Sequence, residues 1–211
     1  MWPDSSQTQE LLSGARQGDE AALNQLLDRH RQALRRMIDM RLDARLAGRV
    51  DASDIVQDVL IEANRRLKEY LREPSMPFHL WLRHMARDRV IDAHRRHRVA
   101  AKRSVDREQP LAARGTGDRS TLDLIAQLEN RELTPAAAAT RKEMQARFAA
   151  AVELLDDDDR EVILMRHFEQ LSNQEVAQSL GLSQPAAGMR YLRAVRRLRA
   201  MLGDPSSGGD G

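Results

Sequence analysis

Residues 172–199 read SNQEVAQSLGLSQPAAGMRYLRAVRRLR, and the fold of the C-terminal part turns on this stretch. Ser172 with Glu175 three positions on is a capping box, the signature of a helix start. Val176, Ala177 and Leu180 share one face of the helix it opens. Gly181-Leu182-Ser183 is a short glycine-containing turn, and Ser183 is a natural N-cap for a second helix. Pro185 falls in the first turn of that helix, where a missing N–H costs nothing. The order helix, glycine turn, helix predicts a helix-turn-helix. The second helix carries Arg190, Arg193, Arg196, Arg197 and Arg199 and no acidic residue before Asp204. Such a helix suits the DNA major groove, its N-terminal residues at base edges and its arginines near phosphates. The plainer alternative is an αα-hairpin with a solvated basic face. The agreement of cap, turn and one-sided charge favours DNA.

Apolar residues recur at helical spacing along the rest of the chain. Leu23, Leu26, Leu27, Leu34, Met37 and Ile38 predict a helix from about Asp19 to Leu42, and Gly48 breaks the pattern. Val56, Val59, Leu60, Ala63 and Leu67 predict a helix over 52–71, capped by Asp51 and stopped by Pro74 and Pro77. Phe78, Trp81, Leu82, Met85 and Ala86 open a third long helix, running to about Lys102. Residues 104–140 lose the pattern and contain Pro110, Gly115, Gly117 and Pro135, so they read as a linker, with a short helix near Leu122 to Arg131. Periodicity returns at Met144, Phe148, Val152, Leu154 and Leu155, and a helix over 159–169 precedes the helix-turn-helix. The expected fold is all-α: two helical domains joined by a flexible linker, the C-terminal one a helix-turn-helix. The expected domains are 8–103 and 141–202, with a linker at 104–140 and a disordered tail at 203–211.

Composition narrows the function classes. Aromatic residues make up 3% of the 211, which favours aliphatic helical cores over sheets. There is no cysteine, so disulfides and thiolate metal sites are excluded and a reducing, cytoplasmic compartment fits. The polar stretch Met1 to Glu10 is not a signal peptide, and no apolar run approaches the ~20 residues of a membrane span. Asp156 to Asp159 lacks the spaced ligands and glycine of a calcium loop, and reads as a helix end and cap. His94 and His97 lack further ligands at credible spacing. Neither a metal nor a cofactor is expected, and no catalytic constellation is present.

Formal charge is +2, from 34 Lys and Arg against 32 Asp and Glu, so placement matters more than the total. Between Arg83 and Arg103 lie eight Lys or Arg residues against Asp88 and Asp92. A basic face beside a loop carrying Phe78 suits single-stranded or melted DNA, where phosphate attraction and base pockets combine. Asp54, Asp58 and Glu62 recur every four residues, with Asp51 and Gln57 nearby, and form an acidic stripe suited to a basic partner protein. Each feature has a bland reading as well, a solvated helix surface or a helix-dipole preference.

The segments DASDIVQDV (51–59) and FHLWLRHMARDRVID (78–92) resemble the second conserved region of bacterial RNA polymerase sigma factors, most of all the extracytoplasmic-function (ECF) group. The segments DREV (159–162), LSNQEVA (171–177), GLS (181–183) and RYLRA (190–194) are similar to that family's fourth region. The resemblance implies a non-enzymatic sigma factor that binds core RNA polymerase, directs it to promoter DNA and assists opening. It implies polymerase binding by Asp51, Asp54, Gln57 and Asp58. It implies minus-10 contacts by the loop 72–77 and by Arg83, Arg87, Asp88, Asp92, Arg95 and Arg96. It implies minus-35 contacts by Ser183, Gln184, Met189, Arg190, Arg193, Arg196 and Arg197. An anti-sigma factor is a further partner expected from the resemblance, and no membrane insertion is expected. Three positions depart from the family pattern: Asp88 replaces the usual Asn, Gly188 a common Lys or Arg, and Tyr191 the usual Leu. The residues alone leave two other readings open, a dimeric regulator that binds a palindrome by itself and a helical adaptor protein.

Overall fold

The computed structural model describes residues 2–42, 50–103 and 138–203. Among these residues all regular structure is helical, and the chain divides into two compact units, residues 1–111 and 112–211. The expected break at Gly48, the helix near 122–131, residues 104–137 of the linker and residues 204–211 of the tail lie outside the described residues. Residues 138–140 and Gly203, expected in linker and tail, are helical instead.

The first unit is built from α1 (Ser5–Arg16), α2 (Glu20–Asp39), α3 (Ala52–Arg72) and α4 (Phe78–Arg103). α1 is a helix that apolar periodicity did not reveal, and it begins before the expected boundary at residue 8. Its signal is a cap: the Asp4 carboxylate accepts from the backbone N–H groups of Ser6 and Gln7. Only Thr8 and Leu12 of this helix are buried, too few to give a stripe. Gly18 then turns the chain at φ +88, and Asp19 caps α2 by accepting from Ala21 and Ala22 at 2.8 and 3.1 Å.

α2, α3 and α4 close around Leu26, Leu34, Met37, Ile38, Val59, Ala63, Leu67, Leu82 and Ala86. Each fully buried Leu or Ile is worth roughly 2 kcal/mol. That outweighs the few tenths of a kcal/mol per residue that β-branched Ile55, Val56 and Val59 cost α3 in helix propensity. The scarce aromatics are not scattered. Tyr70, Phe78 and Trp81 pack with centroids 4.8 to 5.5 Å apart, and His30 meets Phe78 edge-on at 5.1 Å. The Tyr70 hydroxyl donates to the Met76 carbonyl at 3.0 Å, which ties the proline loop to α3. Nε2–H of His94 donates to the Arg41 carbonyl at 3.0 Å, holding α4 against the end of α2.

The second unit contains α5 (Ala138–Glu153), α6 (Asp157–Ile163), a π-helical turn (Leu164–Phe168), α7 (Asn173–Leu180) and α8 (Gln184–Gly203). The single helix expected over 159–169 is thus an α-helix that widens into a π-turn. Gln170, at φ +57, ends it in the left-handed region, and Leu171 N–H closes back on the Met165 carbonyl at 2.9 Å. Phe148, Val152, Leu155, Val162, Ile163, Met165, Phe168, Val176, Ala194 and Leu198 are buried in this unit. Arg160 clasps the end of α5 by donating to the carbonyls of Val152 and Glu153 at 3.2 and 2.6 Å.

Candidate nucleic-acid interface

The helix-turn-helix forms as its sequence dictates. Ser172 N–H donates to the Glu175 carboxylate at 2.7 Å, and Glu175 N–H donates back to Ser172 Oγ at 3.2 Å, a complete capping box. Gly181 sits at φ 64, ψ 33, and the N–H of Leu182 reaches the Ala177 carbonyl at 2.9 Å. This is the six-to-one bond of a Schellman ending, and its left-handed residue explains the glycine. Ser183 Oγ then accepts from Ala186 N–H at 3.3 Å and starts α8. Asn173 spans the motif, its side-chain amide donating to the Gln184 carbonyl at 2.9 Å. Tyr191, where the family pattern has Leu, shares a hydrogen bond with His167 at 2.9 Å and lies beneath the Arg166 guanidinium at 5.6 Å. Burial, followed by the nearby Arg166 charge, pushes His167 down to about 4.

The basic residues of α8 divide by face. Ala187, Ala194 and Leu198 point into the unit. Ser183, Gln184, Met189, Arg193, Arg196 and Arg197 are exposed, and Arg190 is half-buried. Three of the arginines meet the aspartate run at the start of α6. Arg190 lies 2.9 Å from Asp158, Arg193 3.7 Å from Asp159, and Arg197 pairs with both Asp156 and Asp159. The run caps α6 as expected, with Asp156 accepting from Asp159 N–H at 2.8 Å. That hydrogen bond, with the Arg197 guanidinium next, holds the Asp156 carboxyl below the usual carboxylate range. Sequence alone assigns the whole arginine stripe to phosphates and does not reveal these pairs, whose members lie 32 to 41 residues apart in the chain. Among the described residues no cluster of His, Asp and Glu could hold a metal ion.

On α4 the expected contacts separate. Arg87, Asp88, Arg95 and Arg96 are exposed and Asp92 is half-exposed, with Arg95 3.1 Å from Asp92. Arg83 is 0% exposed. Its side chain ends inside the unit, so it is corrected from a DNA contact to a core residue. It follows Leu82 on the inward face, which a uniform count of basic residues conceals. Phe78 is corrected likewise: it is buried in the aromatic cluster and offers no ring to an unstacked base. Arg72 at the end of α3 and the loop residues Glu73, Pro74, Ser75 and Pro77 are exposed.

On α3 all four expected docking residues, Asp51, Asp54, Gln57 and Asp58, are exposed. Ile61, missed by the sequence reading, shares their face and is 43% exposed. Glu62 leaves the stripe: it faces α4 and pairs with Arg89 at 3.3 Å. No helix among the described residues is long and apolar enough to cross a membrane.

The two helical units have counterparts in known proteins. The family description "Sigma-70 region 2" matches residues 26–99, and "Sigma-70, region 4" matches residues 145–198. The RNA polymerase sigma factor CnrH of Cupriavidus metallidurans is 31% identical over 194 residues, which cover 91% of this chain and 92% of CnrH. The RNA polymerase sigma factor NccH of Alcaligenes xylosoxydans is 30% identical over 206 residues, 94% of this chain and 96% of NccH. The ECF RNA polymerase sigma factor SigD of Mycobacterium tuberculosis is 26% identical over 182 residues, 86% of this chain and 77% of SigD. A solved structure of CnrH in complex with the cytosolic domain of CnrY resembles this fold with a TM-score of 0.59 at 26% identity, covering 96% of this chain and all of that one. With both conserved regions in order on matching helical units, the chain belongs to the extracytoplasmic-function group of RNA polymerase sigma factors, which bind core polymerase and direct it to promoters to initiate transcription.

Proposed function

We propose that this sigma factor divides its work among three faces. α8 enters the major groove of the upstream (minus-35) element, with Ser183 and Gln184 at base edges and Arg193, Arg196 and Arg197 toward phosphates. The loop 72–77 and the outer face of α4, with Arg87, Asp88, Asp92, Arg95 and Arg96, engage the minus-10 element as it opens. Asp51, Asp54, Gln57 and Asp58, with Ile61 among them, dock on core polymerase. The observation that supports this most is the glycine-closed turn at Gly181, which sets an exposed basic helix against the other helices of its unit.

The chemistry asked of these residues is attraction and positioning. Arginines that neutralise phosphates release counterions, so binding weakens steeply with salt. Asp88 and Asp92 accept hydrogen bonds when ionised and cannot donate, which favours exocyclic amino groups over carbonyls at the bases they meet. No covalent step falls to this chain, and its place of action is the cytoplasm, with the polymerase and the chromosome. An anti-sigma factor is the regulator we expect for this chain; the similar protein CnrH has been solved in complex with the cytosolic domain of CnrY.

The test is transcription with purified core polymerase on a genomic promoter library, beside gel shifts with and without core enzyme. Promoter-specific transcripts that need this chain, with weak binding of the free chain to duplex DNA, are the expected result. Tight binding of the free chain to a palindrome, without any association with core polymerase, would favour the dimeric regulator.

A further inference from the structure

The crest of α8 is apolar where a reading helix meets bases. Pro185, Met189 and Leu192 follow one another at helical spacing opposite buried Ala187, Ala194 and Leu198. Met189 is 63% exposed and Leu192 47%, the two exposed large hydrophobics of this helix. Arg196 continues the same line one turn further on. The two arginines of the N-terminal half, Arg190 and Arg193, stand to one side, beside Asp158 and Asp159. Gly188, on the other side, adds no side chain.

Direct readout of guanine takes an Arg or Lys aimed at O6 and N7, and readout of adenine takes an Asn or Gln. The middle of this helix presents a thioether and an isobutyl group instead. In the major groove the apolar feature of a base edge is the C5-methyl of thymine. We infer that Met189 and Leu192 read thymine methyl groups in the upstream element, between hydrogen bonds from Ser183 and Gln184 and phosphate contacts from Arg193 and Arg196. The inference rests on the assignment of α8 to duplex DNA and adds to it the class of base that this chain selects. The flanking charge favours this occupant: Arg193 beside the apolar crest and Arg196 at its far end match a groove walled by phosphates.

The experiment uses holoenzyme reconstituted from core polymerase and the full chain. Promoters randomised over the upstream element are selected for binding. The selected duplex is then rebuilt with deoxyuridine in place of each thymine in turn, which removes the C5-methyl and keeps the pairing and the O4 acceptor. Loss of a methyl contact at one or two positions lowers affinity about three- to fivefold each, the scale of one buried methyl group. Met189→Ala makes thymine and deoxyuridine equivalent at one of those positions, Leu192→Ala does so at another, and Met189→Leu keeps the discrimination. Both side chains are exposed, so the variants fold, as a thermal melt verifies. A selected element that tolerates deoxyuridine throughout overturns the inference while leaving duplex recognition by α8 in place. Selection of no upstream element by an intact holoenzyme removes duplex recognition itself. Weakened binding to core polymerase, with unchanged base preference in the two alanine variants, makes the crest a protein-docking face and also overturns the inference.

Discussion

Asp159, 1% exposed at the start of α6, receives the Arg197 guanidinium of α8 at 2.6 Å, and Arg193 approaches the same carboxylate at 3.7 Å. The helix proposed to read DNA is thus tied to its support by the charges it would otherwise offer to phosphates. Arg197 keeps an exposed side and a second partner in Asp156, whose hydrogen bond raises the Arg197 pKa further.

Removing that anchor has a structural effect. Asp159→Ala leaves two guanidinium groups without their buried acceptor and should destabilise the second unit by about 2 kcal/mol. Trp2 and Trp81, the two tryptophans of the chain, both belong to the first unit. Tryptophan fluorescence during urea unfolding should therefore stay unchanged while far-UV circular dichroism shows an early transition. Coincident, unshifted curves would show that the pairs contribute nothing.

The pair of half-buried Arg190 with exposed Asp158 has a different consequence. Asp158→Asn releases Arg190 and removes a negative charge beside the groove-reading face. The cost in stability stays within about 1 kcal/mol. Holoenzyme affinity for its promoter should rise two- to fivefold, and the salt dependence should steepen, as expected for roughly one more phosphate contact. An unchanged salt slope would mean that Arg190 never reaches a phosphate.

Much of this was legible in the residues, for reasons that also mark where legibility stops. α2, α3 and α4 carry regular apolar stripes, and capping box, glycine and proline punctuate α7 and α8, so local chemistry alone predicts them. α1 escaped because one buried Leu and one buried Thr make no stripe. The exposure of Asp51, Asp54, Gln57 and Asp58 follows from their phase against Val56, Val59 and Leu60. Arg83 was misread because basic residues are ordinarily outside, and its neighbours set its phase more reliably than its charge. The aspartate–arginine pairs join residues far apart in the chain, which no local pattern encodes.

Acid should loosen both units through their histidines. Burial pushes His30 down to about 4, its Nδ1–H donating to the Leu26 carbonyl at 2.8 Å while His79 and Arg29 add repulsion. A histidine whose folded pKa is depressed binds more protons when unfolded, so stability is complete above about pH 6.5 and declines toward pH 4. For His30 the decline amounts to about 2–3 kcal/mol. Two-dimensional NMR of the imidazole carbons should show His30 and His167 still neutral at pH 5.5. Titration of both near 6.5 would contradict their placement.

Arg83 and Arg96 should part company when each is replaced by Ala. Arg83→Ala opens a void in the core of the first unit and should cost about 2–4 kcal/mol, read by tryptophan fluorescence. Arg96→Ala should leave stability within about 0.5 kcal/mol and slow promoter opening, measured by permanganate reactivity of unpaired thymines. Equal stability in the two variants would put Arg83 back on the surface.

Whether this protein works as a sigma factor is decided by its affinity for purified core RNA polymerase, wild type against the double variant Asp54→Ala, Gln57→Ala. Both residues are exposed on α3, so the fold and melting temperature should not change. The wild type should bind in the nanomolar to micromolar range, and the variant at least tenfold more weakly, with loss of promoter-specific transcription. Equal binding by the two proteins, or none by either, would contradict this expectation.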